Sequence, residues 1–400
     1  MDRVTRSFPP LVFMVFAGCH DQSTAPRVNQ QIAQPSFSTS ASFSCATTPT
    51  FTVSDEPSLR AALAAASPGA VIALRGRIGL AADLVIRTPN VTLTCAAPGA
   101  GLFAVSTAVD NLVLVDVGGS GVAVEGLALD ASGTAQGPLF AIVGFAYVAA
   151  DLFGPGLPVP NLRFAHNTVT CGGGCAFFAG TPGAVISDNT FSAAAAFTGV
   201  HVQLGIDFVD SVRVQGNTMV ATAPTGFIRF GAIRVFGGRG LVVTDNVVTG
   251  PWSNSLSVTF LTKSEVTGNR FAGAAANGIL LGRPNGPPII ALQDNLFSSN
   301  IATGAGNAGV FANQACNNVF VGNNLQGNVG NVGAVFAATT GANTLVGNGT
   351  IVIDNGAFDC DGDGVNDPNI ITGAGAVMHG VILGQVVSDA VTTTNGLTLK

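Results

Sequence analysis

Charge is scarce in this chain: only 10% of its 400 residues are Asp, Glu, Lys or Arg, against about 25% in an average soluble domain. That excludes a coiled coil, a long-helix protein and a charge-rich disordered chain. Basic residues are also outnumbered, 16 Lys and Arg against 22 Asp and Glu for a net charge of −6, so the phosphate neutralisation behind nucleic-acid binding has no source. One Trp and one Tyr leave few amphipathic rings for stacking on a sugar. The apolar stretches, Leu11 to Phe16 and Pro138 to Ala150, are too short to cross a bilayer core of about 30 Å. Glycine, at 52 residues, lacks the one-in-three period of collagen. What is plentiful is Val, Ala, Phe and punctuating Gly, the composition of an all-β chain.

The N-terminus reads as an address. Arg3 and Arg6 form a basic region, Leu11 to Phe16 an apolar one, and Phe16-Ala17-Gly18-Cys19 closes it with small residues before a cysteine. This resembles a bacterial lipoprotein signal. The resemblance implies removal of residues 1–18, acylation of Cys19, and a cell-envelope protein held by lipid at the outer membrane or cell surface. Residues 19–44, rich in Gln, Ser, Thr, Pro and Asn, then read as a flexible tether to a domain over 45–400.

That domain is organised by an internal repeat. Asn167, Asn189, Asn217, Asn246, Asn269, Asn295, Asn323 and Asn348 recur at intervals of 22 to 29 residues, about 26 on average. Apolar residues stand three before each of the first seven (Phe164, Ile186, Val214, Val243, Val266, Leu292, Phe320) and two after (Val169, Phe191, Met219, Val248, Phe271, Phe297, Leu325). Alternation on both sides of a fixed Asn means strand, turn, strand. Further strands fall midway, at 200–204, 256–260 and 309–311. Short strands without intervening helices make a coil rather than βαβ units. Stacked coils pair each strand in parallel with its copy about 4.8 Å away. The asparagines then form a structural ladder at a bend, where Asn tolerates left-handed backbone and stacked amides bond along the column. The pattern resembles the right-handed parallel β-helix of the pectate-lyase-like superfamily over about residues 70 to 400. Upstream, Ser54-Asp55-Glu56-Pro57 offers a helix start, and Leu59, Ala62, Leu63 and Ala66 an apolar stripe, as expected of a helix capping the solenoid's open end. Strands near 377–383 and 390–399 are candidates for last coils.

Besides Cys19 there are six cysteines, an even number that in an exported protein points to disulfides. Cys171-Gly-Gly-Gly-Cys175 can close on itself, and Cys45 with Cys95 and Cys316 with Cys360 follow mainly by elimination. A metal at Cys171 and Cys175 would need two further ligands from a chain with four histidines.

Carboxylates concentrate in one loop over 359–367. Asp359, Asp361, Asp363 and Asp367 at positions 1, 3, 5 and 9, Gly364 at position 6 and the carbonyl of Val365 at position 7 match the oxygen cage of a hard cation. The loop resembles the calcium loops of dockerins and thrombospondin type 3 repeats, which implies structural calcium. Ile370 stands where an EF-hand has its bidentate Glu.

Enzymes resembling this fold commonly act on acidic polysaccharides, with calcium and a basic residue or with clustered aspartates. The Asp-Asp, Gly-His-Gly and Arg-x-Lys strings of the polygalacturonase branch are missing. One outward patch remains as a catalytic or binding candidate: His201 and Arg234 at comparable positions of consecutive coils, near Asp207, Asp210 and Arg213. Another outward column holds Arg163, Arg213 and Glu265, interrupted by Val185, Val242 and Ala291. The expectation is a structural or surface-binding role with a polysaccharide or cell-surface ligand and no nucleic acid. The alternative is a polysaccharide lyase or glycoside hydrolase. The segment 138–160 is a further candidate for meeting a partner.

Overall fold

The computed structural model describes residues 43–116, 118–133, 158–171, 174–193, 200–203, 210–223, 231–282, 292–347 and 349–380. The expected signal with Cys19, most of the expected tether, the apolar stretch 138–150 and the last twenty residues, with the candidate strand at 390–399, lie outside the described residues.

Each coil contributes strands to three parallel sheets, so that consecutive coils pair residue for residue. The first sheet has 13 strands, from Phe51–Val53 through Val71–Leu74 to Ile370–Thr372, and the second has 9, from Arg77–Leu80 to Ile301–Thr303. The main path of the third runs from Ala176–Ala179 to Ala376–Met378, and a separate pair, Val85–Ile86 with Leu114–Val115, precedes it. Every pairing between these strands is parallel, giving a right-handed β-solenoid of about 11 turns with about 25 residues per turn.

The register follows from the inward side chains. Phe164, Ile186, Val214, Val243, Val266, Phe297, Phe320 and Leu345 stand one above another in the first sheet, all buried. Leu129, Val169, Phe191, Met219, Val248, Phe271 and Ala302 do the same in the second. Slipping any strand by one residue would turn its apolar set outward, so burial fixes the stacking.

The bend between first and second sheets carries the asparagine ladder. Asn189 donates from Nδ2 to Oδ1 of Asn217 (2.9 Å) and to the Phe164 carbonyl (2.9 Å), and its own Oδ1 accepts from Asn167 N–H and Nδ2. The pattern repeats through Asn217, Asn246 and Asn269. Two expectations are corrected here. Asn269 is followed by Asn300 and then Asn323, not by Asn295, and the left-handed residue is the one before each asparagine: His166, Asp188, Gly216, Asp245, Gly268, Ser299 and Gly322 all have φ between 55° and 66°. That backbone turn aims the amide along the column while the asparagine itself enters the next strand. Asn348 lies outside the described residues.

Asn295 belongs to a second column, at the bend leading into the first sheet. Its Nδ2 donates to Asn318, whose Nδ2 donates to Asn343, whose Nδ2 donates to Asn369. Earlier coils fill this slot with Val122, Leu162, Ala184, Val212 and Leu241, all buried. Asn369 ends the column on the Oδ1 of buried Asp354 (2.8 Å).

The N-terminal end is closed by the helix Glu56–Ala65. Asp55 caps it, accepting from Ser58 N–H at 2.8 Å, with Pro57 in the first turn. Leu59 and Ala62 are its buried face.

Candidate functional site

Alternation assigns the outer face of the third sheet. Ile233 and Val235 belong to the main core, so Arg234 between them points out; the same holds for Ser257 between Leu256 and Val258, and for Leu280 between Ile279 and Leu281. One outward row therefore runs Arg234, Ser257, Leu280, Phe311, Val335, Ile353 and Met378 across successive strands, with the backbone of residues 177 and 201 continuing the register before it. The row changes character along the solenoid. It is polar at Arg234 and Ser257, and apolar from Leu280 onward.

His201 and Arg234 are backbone register partners on adjacent coils. Arg234 is half-buried, with its guanidinium carbon 5.2 Å from the centroid of the Phe236 ring, and Phe236 meets Phe260 edge-on at 5.8 Å. The aromatic face holds the cation's orientation.

The other candidates are distributed differently. Arg213 is on the first sheet, exposed, in register with Val185 and Val242. Asp210 sits at the corner between third and first sheets, bridged through its backbone to Arg239. Asp207 lies outside the described residues. The corner thus puts Arg213 and Arg234 on different faces. In the Arg213 column Arg163 is engaged by Glu125 (2.5 Å), and the residue stacked on Glu265 is Leu296 rather than Ala291, because Asn300 continues the ladder.

All six cysteines of the domain are paired: Cys45–Cys95, Cys171–Cys175 and Cys316–Cys360. The first ties the chain entering the domain to the Thr92–Cys95 strand, and the last ties the acidic loop to the Ala315–Cys316 strand.

Within that loop Asp359, Asp361 and Asp363 bring one carboxylate oxygen each within 4.8 Å of the others, the only such group of three among the described residues. Gly362 and Gly364 take φ of 81° and 88°, a backbone only glycine adopts without strain. Asp359 accepts from Gly364 N–H (2.8 Å) and Gly362 N–H (2.7 Å), which holds its carboxyl below the ordinary range against the smaller opposing effect of burial. Asp367 is not part of this group and accepts from Cys360 N–H at 2.8 Å. Three carboxylate oxygens converging on one point suit a hard cation.

A profile of the family described as "Right handed beta helix region" matches residues 183–351. Over that stretch the chain is similar to this family. No curated protein sequence matches it. Among solved structures, the alginate lyase from Paenibacillus sp. str. FPU-7 is 15% identical with a TM-score of 0.49, covering 71% of this chain and 97% of its own. DFA-IIIase from Arthrobacter chlorophenolicus A6, in complex with DFA-III, is 14% identical with a TM-score of 0.47, covering 81% and 88%. The catalytic domain of a GH87 alpha-1,3-glucanase in complex with nigerose is 10% identical with a TM-score of 0.40, covering 78% and 61%.

Proposed function

We propose that this is an exported β-helix protein, lipid-anchored through Cys19, that binds an acidic polysaccharide or related cell-surface ligand on the outer face of the third sheet. The observation that supports this is the register pairing of His201 with Arg234, beside the ring of Phe236. A guanidinium oriented on an aromatic face recognises a carboxylate by paired N–H donors, and coils stacked at about 4.8 Å offer a linear polymer a matching linear track. Three disulfides fit an oxidising compartment.

Binding is preferred over hydrolysis because glycoside hydrolysis needs two facing carboxyl groups, and the row from Arg234 to Met378 contains none. The acidic loop is proposed as a structural calcium site on Asp359, Asp361 and Asp363, with the Val365 carbonyl as the further ligand expected from the sequence, while Asp367, the remaining expected ligand, accepts from Cys360 N–H instead. It stiffens the loop that Cys360 anchors.

The test is calorimetric titration of the mature domain, lacking Cys19, with polygalacturonate and with neutral dextran, in calcium and in EDTA. Binding to the acidic polymer, weakened about tenfold or more by Arg234→Ala, is expected. Equal affinity of wild type and variant would overturn the assignment. Release of unsaturated or reducing ends would move the reading to a lyase or hydrolase. Absence of heat on adding millimolar calcium would remove the metal.

A further inference from the structure

The outer face of the second sheet carries a cluster of side chains that the ligand-binding reading leaves unused. The sheet's first three strands, Arg77–Leu80, Gly101–Ala104 and Ala128–Asp130, pair in that order. Ile78, Leu80, Leu102 and Leu129 belong to the main core, so the residues alternating with them point outward in two rows: Arg77, Gly101 and Ala128, then Gly79, Phe103 and Asp130. Three of these six are Gly or Ala, which leaves a flat shelf around the others. A Cβ on Gly79 would lie 2.6 Å from Val105 Cγ1 and 3.0 Å from Phe103 Cζ, so both apolar side chains lean across that strand in the space glycine leaves. Val105 is 59% exposed and Phe103 half-buried. Arg77 crosses Gly101 to reach the third strand: its Nη2 donates to Asp130 Oδ2 at 3.2 Å, with the guanidinium carbon 5.3 Å from the centroid of the Phe103 ring. The other carboxylate oxygen, Oδ1, accepts from Ser132 N–H at 3.1 Å and from Ser132 Oγ at 2.7 Å. Both partners of the ion pair stay open to solvent, with side chains 49% and 32% exposed, and an exposed pair of this kind contributes little to folding.

We propose that this shelf is a second ligand site, for a neutral sugar. The proposal does not rest on Arg234 or its acidic polymer. Charge decides against an ionic ligand: Arg77 and Asp130 cancel, so an ion drawn to one is repelled by the other. A hydroxyl suits both at once, because it accepts from a guanidinium and donates to a carboxylate. Arg77 has donors to spare, since among the described residues only its Nη2 is engaged. Phe103 and Val105 supply the apolar surface that the C–H face of a sugar ring covers, while the ion pair meets its hydroxyl edge, the combination of apolar floor and few placed polar groups that binds and orients a small ligand. The rows span two coil spacings, about 10 Å, which gives room for two sugar rings. The Arg234 row, by contrast, has no carboxylate beside its cation, so the two faces select ligands of different charge.

Saturation-transfer NMR on the full chain tests this, with cellobiose as the neutral probe and digalacturonate as the acidic one. Saturation should pass from the protein to the C–H protons of cellobiose. Phe103→Leu, which removes the ring but keeps an apolar residue, should weaken cellobiose at least about fivefold, and Asp130→Asn about tenfold. Arg234→Ala should leave cellobiose bound as in wild type while weakening polygalacturonate. No transfer from wild type to cellobiose, or equal affinity of wild type and Phe103→Leu, would overturn the proposal. Loss of cellobiose in Arg234→Ala would move the sugar to the third sheet and overturn it as well, leaving the reading of that sheet intact. Digalacturonate binding that Phe103→Leu abolishes would make the shelf an acidic-ligand site and overturn the neutral assignment.

Discussion

Asn246 donates its side-chain amide to Oδ1 of Asn269 at 2.9 Å and to the Val214 carbonyl at 2.8 Å, while its own Oδ1 takes both the N–H and the Nδ2 of Asn217. Every polar atom of this fully buried side chain is used, and each rung orients the next. Asn246→Ala would remove the bond to the Val214 carbonyl and leave the N–H and one Nδ2 hydrogen of Asn217 without their acceptor in the interior. We expect a loss of about 1–3 kcal/mol, read from denaturant melts. A change below about 0.3 kcal/mol would contradict a structural ladder.

Asp294 precedes Asn295 in the second column at φ 58°, and burial pushes its carboxyl up, with Lys263 opposing. The folded state therefore holds the proton to higher pH than the unfolded chain. Stability falls as pH rises from the ordinary value of 3.8 through the raised one, and the penalty persists above it. Asp294→Asn removes the charge and keeps a residue suited to left-handed backbone. It should raise the urea midpoint at pH 7 and give little gain at pH 3, where aspartate is protonated in both states. An equal gain at both pH values would trace the effect to backbone rather than to charge.

The ladder was legible because a polar residue recurring between apolar neighbours can sit inward only if its amide is satisfied by its own copies. The misplacement of Asn295 has a physical cause. Both bends of that coil carry asparagine, and the one at Asn295 has Phe297 two places on, like its predecessors, whereas Asn300 has the small Ala302. Local flanks do not say which bend a residue occupies; pairing of Arg270 with Ile301 does. The same limit applied to the site. Alternation showed that Arg213 and Arg234 point outward, but the corner at Asp210 and Arg239, which puts them on different sheets, has no local signature. The apolar outer row was invisible for the same reason: its members read as core until the register separates inward from outward.

Phe43 stacks on the His166 ring, centroids 5.1 Å apart, and Ala46 N–H donates to the Cys95 carbonyl at 2.9 Å beside the Cys45–Cys95 bond. These contacts hold the chain's entry to the domain. The Cys45→Ala/Cys95→Ala variant should keep its solenoid and become cleavable by protease near residues 43–50, where wild type resists. Unchanged resistance would mean that the ring stack and backbone bond suffice.

Cys316–Cys360 closes a sequence separation of 44 residues between a strand of the third sheet and the acidic loop. Loop-closure entropy for a ring of that size amounts to about 4 kcal/mol in the unfolded chain, so the Cys316→Ala/Cys360→Ala variant should unfold at clearly lower denaturant. The bond also acts locally. Cys360 is buried while Asp361 and Asp363 are exposed, and Cys360 N–H donates to Asp367, so the disulfide and this hydrogen bond together set where the three carboxylates converge. If calcium occupies that point, removing the disulfide should weaken its binding as well as lower stability, and calcium should recover part of the lost midpoint by mass action. A variant that loses stability but titrates calcium with wild-type affinity would show that the loop organises itself through its own glycine turns, and that the disulfide serves only the solenoid.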